Sequence, residues 1–239
     1  MKLLNDLIKL IKMEEDIILV KNFGKALLTF VLFYYSSLFQ LIPILLLGIN
    51  TKNINGSLDV MLSAFSSCML FFVLFLLWRK DIKKEWKIFR KNLVDNLDIG
   101  CRWWAVGLVM MMVSNLIINS LNSGLAGNEE AVQSMISSLP WLMLINAGIL
   151  APLNEEIIFR KAFKNVFKNK WVFVLSSGFV FGLMHVLGNV SNWVDVLYII
   201  PYGALGSAFA MSYYKTDTVF TPIAFHMFHN IVLVLVSIF

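Results

Sequence analysis

Two adjacent glutamates and an arginine, within residues 154–160, are the side chains of this sequence best suited to chemistry. They follow an apolar run, residues 141–153. A charge in hydrocarbon costs roughly 2.5–3.5 kcal/mol, so such groups usually face the interior of a helical bundle and are functional. On a helix, Glu156 and Arg160 share a face and can pair, whereas Glu155 is rotated by about 100° and can stay free. The alternative is that these charges only mark a helix end at the membrane surface.

The three histidines of the chain all lie in its last two-fifths, in apolar segments. A lone histidine in a membrane helix usually makes a packing hydrogen bond. Glu155, His185, His226 and Asn230 together could activate water and stabilise a tetrahedral oxyanion. His229 is three residues from His226 and could line the rim of the same cavity.

A divalent metal is the alternative use of these groups, because imidazole and carboxylate are ordinary zinc ligands. The candidate ligands are then Glu155, His185 and His226. The zincin pattern H-E-x-x-H is absent from the sequence, and so is the G-x-S-x-G motif of serine hydrolases. Cys68 and Cys101 form no cysteine cluster and indicate no disulfide framework. A site without a cofactor and a zinc site both stay open at this point, although the zinc site lacks its usual motif.

The composition indicates a membrane protein. The chain is 59% hydrophobic and 15% charged, against about 45–50% and 25% in soluble domains. A net charge of +5 could suggest a nucleic-acid partner, but the basic residues fall in a few short loops. That distribution follows the positive-inside rule, so we expect the lipid bilayer and no nucleic acid as partner.

The apolar runs predict an all-α, polytopic integral membrane bundle of about seven transmembrane helices, in a single domain over residues 1–239. Pro43 is expected to kink the first span. A small-residue face on the sixth predicts close helix packing; its members are Gly203, Gly206, Ser207 and Ala210. The predicted spans cover residues 26–49, 58–78, 103–121, 140–166, 171–187, 193–213 and 219–239.

Residues 1–20 are predicted to form an interfacial helix that precedes the first span. Apolar residues recur there at helical spacing, with lysines and acids between them. This pattern is typical of a helix that lies in the plane of the membrane surface. We do not expect a cleavable signal, because charged residues interrupt the apolar stretch.

The loop charges predict the orientation of the chain. Of the 20 lysines and arginines, Lys52 alone falls on the opposite side of the predicted bundle. The N-terminus is therefore predicted in the cytoplasm and the C-terminus outside, in a multi-pass protein of the cell membrane. The Lys-, Ile- and Asn-rich composition points to an AT-rich bacterium. The other basic residues lie in segments 1–25, 79–102, 160–170 and 214–218.

The depth of the polar groups tests whether they can meet. At about 1.5 Å of rise per residue, His185 and His226 lie about 16–21 Å from the predicted inner surface. Glu155 reaches the same depth only if its helix continues past Arg160 to about Val166. We therefore predict this longer helix, with Arg160 inside the bundle.

Three sequence motifs, around Glu155, His185 and His226, follow one another in the chain. With these motifs in this order, residues 140–235 resemble the CAAX protease and bacteriocin-processing (CPBP) family of intramembrane endopeptidases. Any one motif is weak, but three in order, with a glycine-bearing helix between them, are specific. Lys161 departs from the glycine often found after the Phe-Arg pair, and we expect Lys161 and Lys164 to reach outwards to lipid headgroups. The motifs are Glu155-Glu156-x-x-x-Arg160, Phe181-x-x-x-His185 and His226-x-x-x-Asn230.

The resemblance implies a metal-free endopeptidase that hydrolyses membrane-associated peptides or proteins. Family members in bacteria serve peptide processing or self-immunity to bacteriocins. The implied roles are water activation by Glu155 with His185, oxyanion stabilisation by His226 and Asn230, and orientation by Glu156 and Arg160.

A non-catalytic protein with the same fold is the alternative function. It would bind a peptide or partner in the polar cavity, as an immunity or scaffold protein. A transporter or channel is disfavoured, because its ionisable groups would follow a path through the membrane, whereas here they cluster.

Overall fold

The computed structural model of the chain describes residues 2–121 and 126–239, without the side chains of residues 2–16 and 53. No β-strand occurs within these two ranges, so the predicted all-α class is confirmed. The helices are α1 Lys2–Tyr34, α2 Leu41–Leu47, α3 Gly56–Lys91, α4 Leu93–Leu121, α5 Gly127–Ser138, α6 Pro140–Val166, α7 Lys170–Val186, α8 Ile199–Thr216 and α9 Phe220–Ile238.

Six helical segments in the described ranges are long and apolar enough to cross a bilayer. The predicted span at 171–187 corresponds to α7, which is apolar but only 17 residues long. Large apolar side chains such as Leu45 and Leu116 are exposed on the outside of the bundle, as lipid contact requires. The chain is therefore a multi-pass membrane bundle. The six segments are Ile17–Tyr34, Gly56–Lys91, Leu93–Leu121, Pro140–Val166, Asp195–Thr216 and Phe220–Ile238.

The first membrane-spanning segment lies earlier than the predicted 26–49. Helix α1 ends at Tyr34 and is followed by the 3-10 turn Ser36–Gln40 and then by α2. Pro43 lies in the first turn of α2, where its missing N–H costs little. The helix therefore breaks before the proline and does not kink at it.

The N-terminal segment continues directly into this first span. Helix α1 begins at Lys2, and its membrane-length part, Ile17–Tyr34, starts inside the predicted interfacial segment 1–20. The side chains of residues 1–16 lie outside the described part of the structure. A position in the membrane interface thus stays a prediction for them.

Helix α6 continues to Val166, as the depth of Glu155 predicted. It contains two wider π-helical turns, Asn146–Leu150 and Glu156–Ala162. The first precedes Pro152, which has no N–H to bond the carbonyl four residues earlier. Such turns are frequent at functional sites.

Aromatic packing fixes α6 against its neighbours. Phe159 is fully buried and meets Phe33 of α1 and Phe181 of α7 edge to face, at centroid distances of 5.5 and 5.4 Å. Trp78 of α3 lies in the same core cluster, and its indole N–H donates to Thr29 Oγ1 at 2.9 Å. Helices α1, α3 and α7 therefore enclose the helix that carries the glutamates.

Helices α7 and α8 approach each other at backbone distance. A Cβ atom on Gly182 would lie 2.5 Å from the carbonyl oxygen of Ile199. One on Gly178 would collide with Ser207, a member of the predicted small-residue face. Tight packing, the structural reading of that face, is therefore confirmed, and it holds the helix that ends near His185.

Candidate active site

Glu156 and Arg160 form an ion pair in the interior of the bundle. Neither side chain has any exposed surface, and Arg160 Nε lies 3.1 Å from Glu156 Oε2. Arg160 Nη1 also donates to Ser177 Oγ of α7 at 3.3 Å, and the guanidinium lies over the Phe181 ring at 4.6 Å. The predicted pairing is present, and Arg160 does not mark a surface helix end.

His226 of α9 lies between the two glutamates. Its Nδ1 is 2.8 Å from Glu156 Oε1, and its Nε2 is 3.7 Å from Glu155 Oε2. The ring stacks on Phe209 at a centroid distance of 4.9 Å. Since a carboxylate accepts, we assign the Nδ1 proton to the bond with Glu156. The other nitrogen then faces Glu155.

Glu155 is the less constrained of the two carboxylates. Its side chain is 18% exposed, and its Oε2 has no hydrogen-bond partner in the described part of the chain. Glu156, by contrast, is fully buried and held by both Arg160 and His226. A carboxylate with a free oxygen beside an imidazole is suited to take a proton from water.

His185, at the C-terminal end of α7, is held in one orientation. Its Nδ1 hydrogen-bonds the carbonyl of Phe181 at 2.8 Å, so Nε2 is the nitrogen left for chemistry. Its ring stacks on Tyr202 of α8 at a centroid distance of 4.7 Å. The centroid of the Phe181 ring lies 4.3 Å from that of His185 and 5.8 Å from that of His226. The two predicted histidines and the glutamate therefore lie in one region.

Asn230 lies one turn after His226 on α9. Its Nδ2 donates to the carbonyl oxygen of Ala147, in the first π-helical turn of α6, at 3.0 Å. This bond fixes the amide and leaves its second N–H available. His229 is 7% exposed and is also part of the cavity wall described next.

A cavity of about 310 Å³ adjoins these groups. Its wall includes His185, His226, His229 and Asn230. Glu155 is not part of the wall, and its 3.7 Å contact with His226 links it to the cavity. Three of the four residues predicted to be catalytic therefore face one cavity. The fourth, Glu155, contacts one of these three, His226.

The alternative metal ligands Glu155, His185 and His226 do not form a ready ligand set. No three His, Cys, Asp or Glu side chains are grouped closely enough to hold a metal ion within the described ranges. One nitrogen of each histidine is already engaged, by Glu156 or by a carbonyl. Metal independence therefore stays a prediction.

The sequence did not predict a buried ion pair between Lys161 of α6 and Glu85 of α3. Lys161 is only 8% exposed and does not reach the headgroups, so that expectation is wrong. Burial is possible because Glu85 Oε1 also accepts from Tyr213 Oη at 2.9 Å, and Oε2 accepts from the Val219 N–H at 2.8 Å. The lysine in place of a glycine after the Phe-Arg pair was the available signal.

Lys164 also does not extend freely to the headgroups. Its Nζ pairs with Asp217 Oδ1 at 2.5 Å, in the turn between α8 and α9. Its side chain is 23% exposed, so it lies at the bundle surface as expected but is held by a protein carboxylate. Asp217 has positive φ, 53°, at the C-terminal cap of α8, where a short polar residue is tolerated.

Arg160→Ala is expected to lower the free energy of unfolding by about 3–5 kcal/mol, because it leaves the Glu156 carboxylate buried without its cation. The measurement is the thermal melting of detergent-purified protein. Arg102→Ala is the matched control. Arg102 also pairs with an acid four residues away, Asp98, but both side chains are exposed and such pairs contribute little. Equal melting of Arg160→Ala and wild type would contradict the buried pair.

The bundle brings histidine and asparagine side chains to one cavity, with a glutamate in contact with one of the histidines. Residues 137–232 match the family model described as "Type II CAAX prenyl endopeptidase Rce1-like". This segment contains every residue of the candidate site. This match confirms the resemblance to the CPBP endopeptidases.

The chain is also similar to proteins of two bacteria. The chain is 27% identical over 184 residues to "Putative membrane peptidase YdiL" of Bacillus subtilis (strain 168), which covers 73% of this chain and 70% of that protein. It is 26% identical over 140 residues to "UPF0177 protein YxdF" of Lactococcus lactis subsp. lactis (strain IL1403), over 55% of this chain and 75% of that protein. No solved structure is a significant match.

Proposed function

We propose that this protein is a glutamate-type intramembrane endopeptidase that hydrolyses peptide bonds of membrane-associated peptides or proteins. The observation that carries the proposal is that two adjacent carboxylates make different contacts. Glu156 is held by Arg160 and His226, whereas Glu155 keeps a free oxygen beside the His226 ring. The similarity of residues 137–232 to the CAAX-type peptidase model supports the same reaction class.

In the proposed mechanism, Glu155 and His185 activate a water molecule, and the proton passes to the Glu155 carboxylate. The hydroxide attacks the substrate carbonyl carbon. His226 Nε2–H and the free N–H of Asn230 then stabilise the oxyanion. Collapse of the tetrahedral intermediate breaks the C–N bond, and the proton on Glu155 goes to the leaving amine.

Glu156 has an orienting role in this scheme. If His226 Nδ1–H donates to Glu156, Nε2 can donate to an oxyanion only when the ring carries both protons. The Glu155 and Glu156 carboxylates lie at the two nitrogens of the ring, 3.7 Å from Nε2 and 2.8 Å from Nδ1. Arg160 in turn holds Glu156 in place. The pair therefore orients the His226 ring without contacting substrate.

The test of this function is cleavage by purified protein in lipid vesicles. Candidate substrates come from a comparison of membrane and secreted peptides in cells with and without the active protein. We expect a peptide that accumulates without the protein to be cut at one defined bond in the vesicle assay. Binding of that peptide without cleavage would favour the alternative, a non-catalytic immunity or scaffold protein.

We further propose that the protein lies in a bacterial cell membrane, with its N-terminus in the cytoplasm and its C-terminus outside, and serves peptide processing or self-immunity to bacteriocins. A probe cysteine at Ser134 is expected to react with an impermeant reagent on intact cells, and one at Lys168 is not. Both positions are exposed on the protein surface. The native Cys68 and Cys101 are exposed and must first be replaced. The reverse labelling pattern would overturn the orientation.

A further inference from the structure

Within the described residues, the cavity extends from the candidate site towards the C-terminal end of α9. Along α9 its wall continues from His226 to Ser237, 11 residues further on, or about 16 Å along the helix axis. In the other direction along the helix axis, Val219, the residue before α9, lies about 10 Å from His226. Its backbone N–H donates a hydrogen bond to the buried Glu85. Glu85 also holds Lys161 there. The cavity therefore extends away from the basic loops, towards α5.

Carboxamide side chains are unusually frequent in the wall of this cavity. Each offers two N–H donors and a carbonyl acceptor, as an extended peptide backbone requires. Asn119 Oδ1 accepts from Tyr198 Oη at 3.3 Å, whereas the amides of Asn115 and Gln133 bond no group in the described ranges. A purely apolar ligand would leave these amides unsatisfied. The four carboxamides near α5 are Asn115, Asn119, Asn128 and Gln133.

The wall also carries a negative charge. Glu129, in the first turn of α5, lines the cavity, and no Lys, Arg or Asp and no second Glu does so within the described residues. Glu129 is exposed and forms no ion pair within the described part of the chain. A basic side chain that enters the cavity gains a counter-charge there. Its methylene stem can lie along the apolar residues of the same wall, such as Leu233 and Val132.

We propose that this cavity binds the stretch of the peptide substrate next to the scissile bond, and that Glu129 selects a lysine or arginine in that stretch. The proposal rests on the endopeptidase function and adds its substrate class, a cationic peptide. The peptide enters from the membrane face opposite the basic loops. The carboxamides bind its backbone, and the apolar wall binds its neighbouring side chains.

The experiment uses peptides that differ only in one residue near the cleaved bond, which is Lys, Gln or Glu. Dissociation constants are measured with full-length Glu155→Gln protein, so that binding is read without turnover, and kcat/KM is measured with protein that retains Glu155. We expect a Lys-over-Gln preference of about 2–5-fold, typical of an exposed ion pair, that shrinks in 1 M salt. Glu129→Gln is expected to remove the preference, and Glu129→Lys to favour the Glu peptide.

Glu130→Gln is the matched control. Glu130 is the next residue on the same helix and is also exposed, but it is not part of the cavity wall. The Lys preference should persist in that variant. If Glu129→Gln and Glu130→Gln reduce the Lys preference equally, the preference comes only from the general surface charge. If Glu129→Lys leaves the preference unchanged, selection of the basic residue by Glu129 is excluded. Binding only of a lipid-modified peptide, with no effect of Lys, would also overturn the proposal.

Failure of this proposal is distinguishable from failure of the endopeptidase function. If the protein binds the Lys peptide preferentially but cuts none, the recognition stands and the reaction class is wrong. If it cuts all three peptides equally well, the reaction class stands and the charge selection by Glu129 is wrong.

Discussion

Glu155→Gln is expected to abolish peptide cleavage, with a loss of at least about 10²-fold, the usual contribution of a general base. Glutamine has almost the same shape as glutamate but cannot take the proton of the attacking water. The carboxylate has an oxygen without a hydrogen-bond partner within the described residues, so its neutralisation breaks no bond seen there. Membrane abundance and melting temperature should therefore stay at wild-type values. The measurement is kcat/KM for a model peptide, with melting recorded on the same sample.

Glu156→Gln is the matched comparison, because it changes the adjacent residue in the same way. Glu156 is fully buried and holds both Arg160 and His226. Its neutralisation leaves the Arg160 charge unpaired, so this variant should melt at a clearly lower temperature. If Glu155→Gln keeps full activity, Glu155 is not the base, and the non-catalytic alternative gains support. If instead Glu155→Gln unfolds and Glu156→Gln does not, the roles of the two carboxylates are exchanged.

His226→Ala is the second variant with a large expected effect. It removes an oxyanion donor, which costs roughly 10²–10³-fold in rate. It also removes the group between the two carboxylates, at 2.8 Å from Glu156 and 3.7 Å from Glu155. We expect no measurable cleavage by the purified variant, together with some loss of thermal stability. Added zinc should not restore activity.

His229→Ala is the control on the same helix, three residues away. His229 lines the cavity but contacts neither glutamate in the described structure. This variant should keep most of the activity. If His229→Ala is inactive and His226→Ala is active, the assignment of the α9 face is wrong.

The same assay tests the expected independence of metal, because it is carried out in chelator. Wild-type cleavage should be unchanged by chelation. Loss of activity that zinc restores would contradict the metal-free mechanism. Glu155, His185 and His226 would then be the first residues to test as ligands.

Much of the membrane fold and the main site follows from local sequence. Apolar runs of bilayer length specify helices wherever they occur, because lipid offers the backbone no other hydrogen-bond partner. The pairing of Glu156 with Arg160 follows from helical spacing alone. The extension of α6 to Val166 follows from a depth requirement and the fixed rise of a helix. These inferences need no knowledge of which helices are neighbours.

Other features depend on contacts between residues far apart in the chain. Lys161 is buried because Glu85, 76 residues away, supplies its counter-ion, and no local pattern predicts that pair. His226 lies between both glutamates because α9 packs beside α6, which the motif spacing did not specify.

The wide turns of α6, the early end of α1 and the direction of the cavity likewise belong to the assembled bundle. Helical periodicity specifies which face of a segment is apolar, and the charged loops predict which end is cytoplasmic. Neither specifies which neighbour a face meets, because packing depends on the shapes of side chains from several helices at once. The sequence by itself therefore determined the type, number and approximate depth of the polar groups. Only the tertiary structure decided which groups of different helices hold each other and which remain free to react.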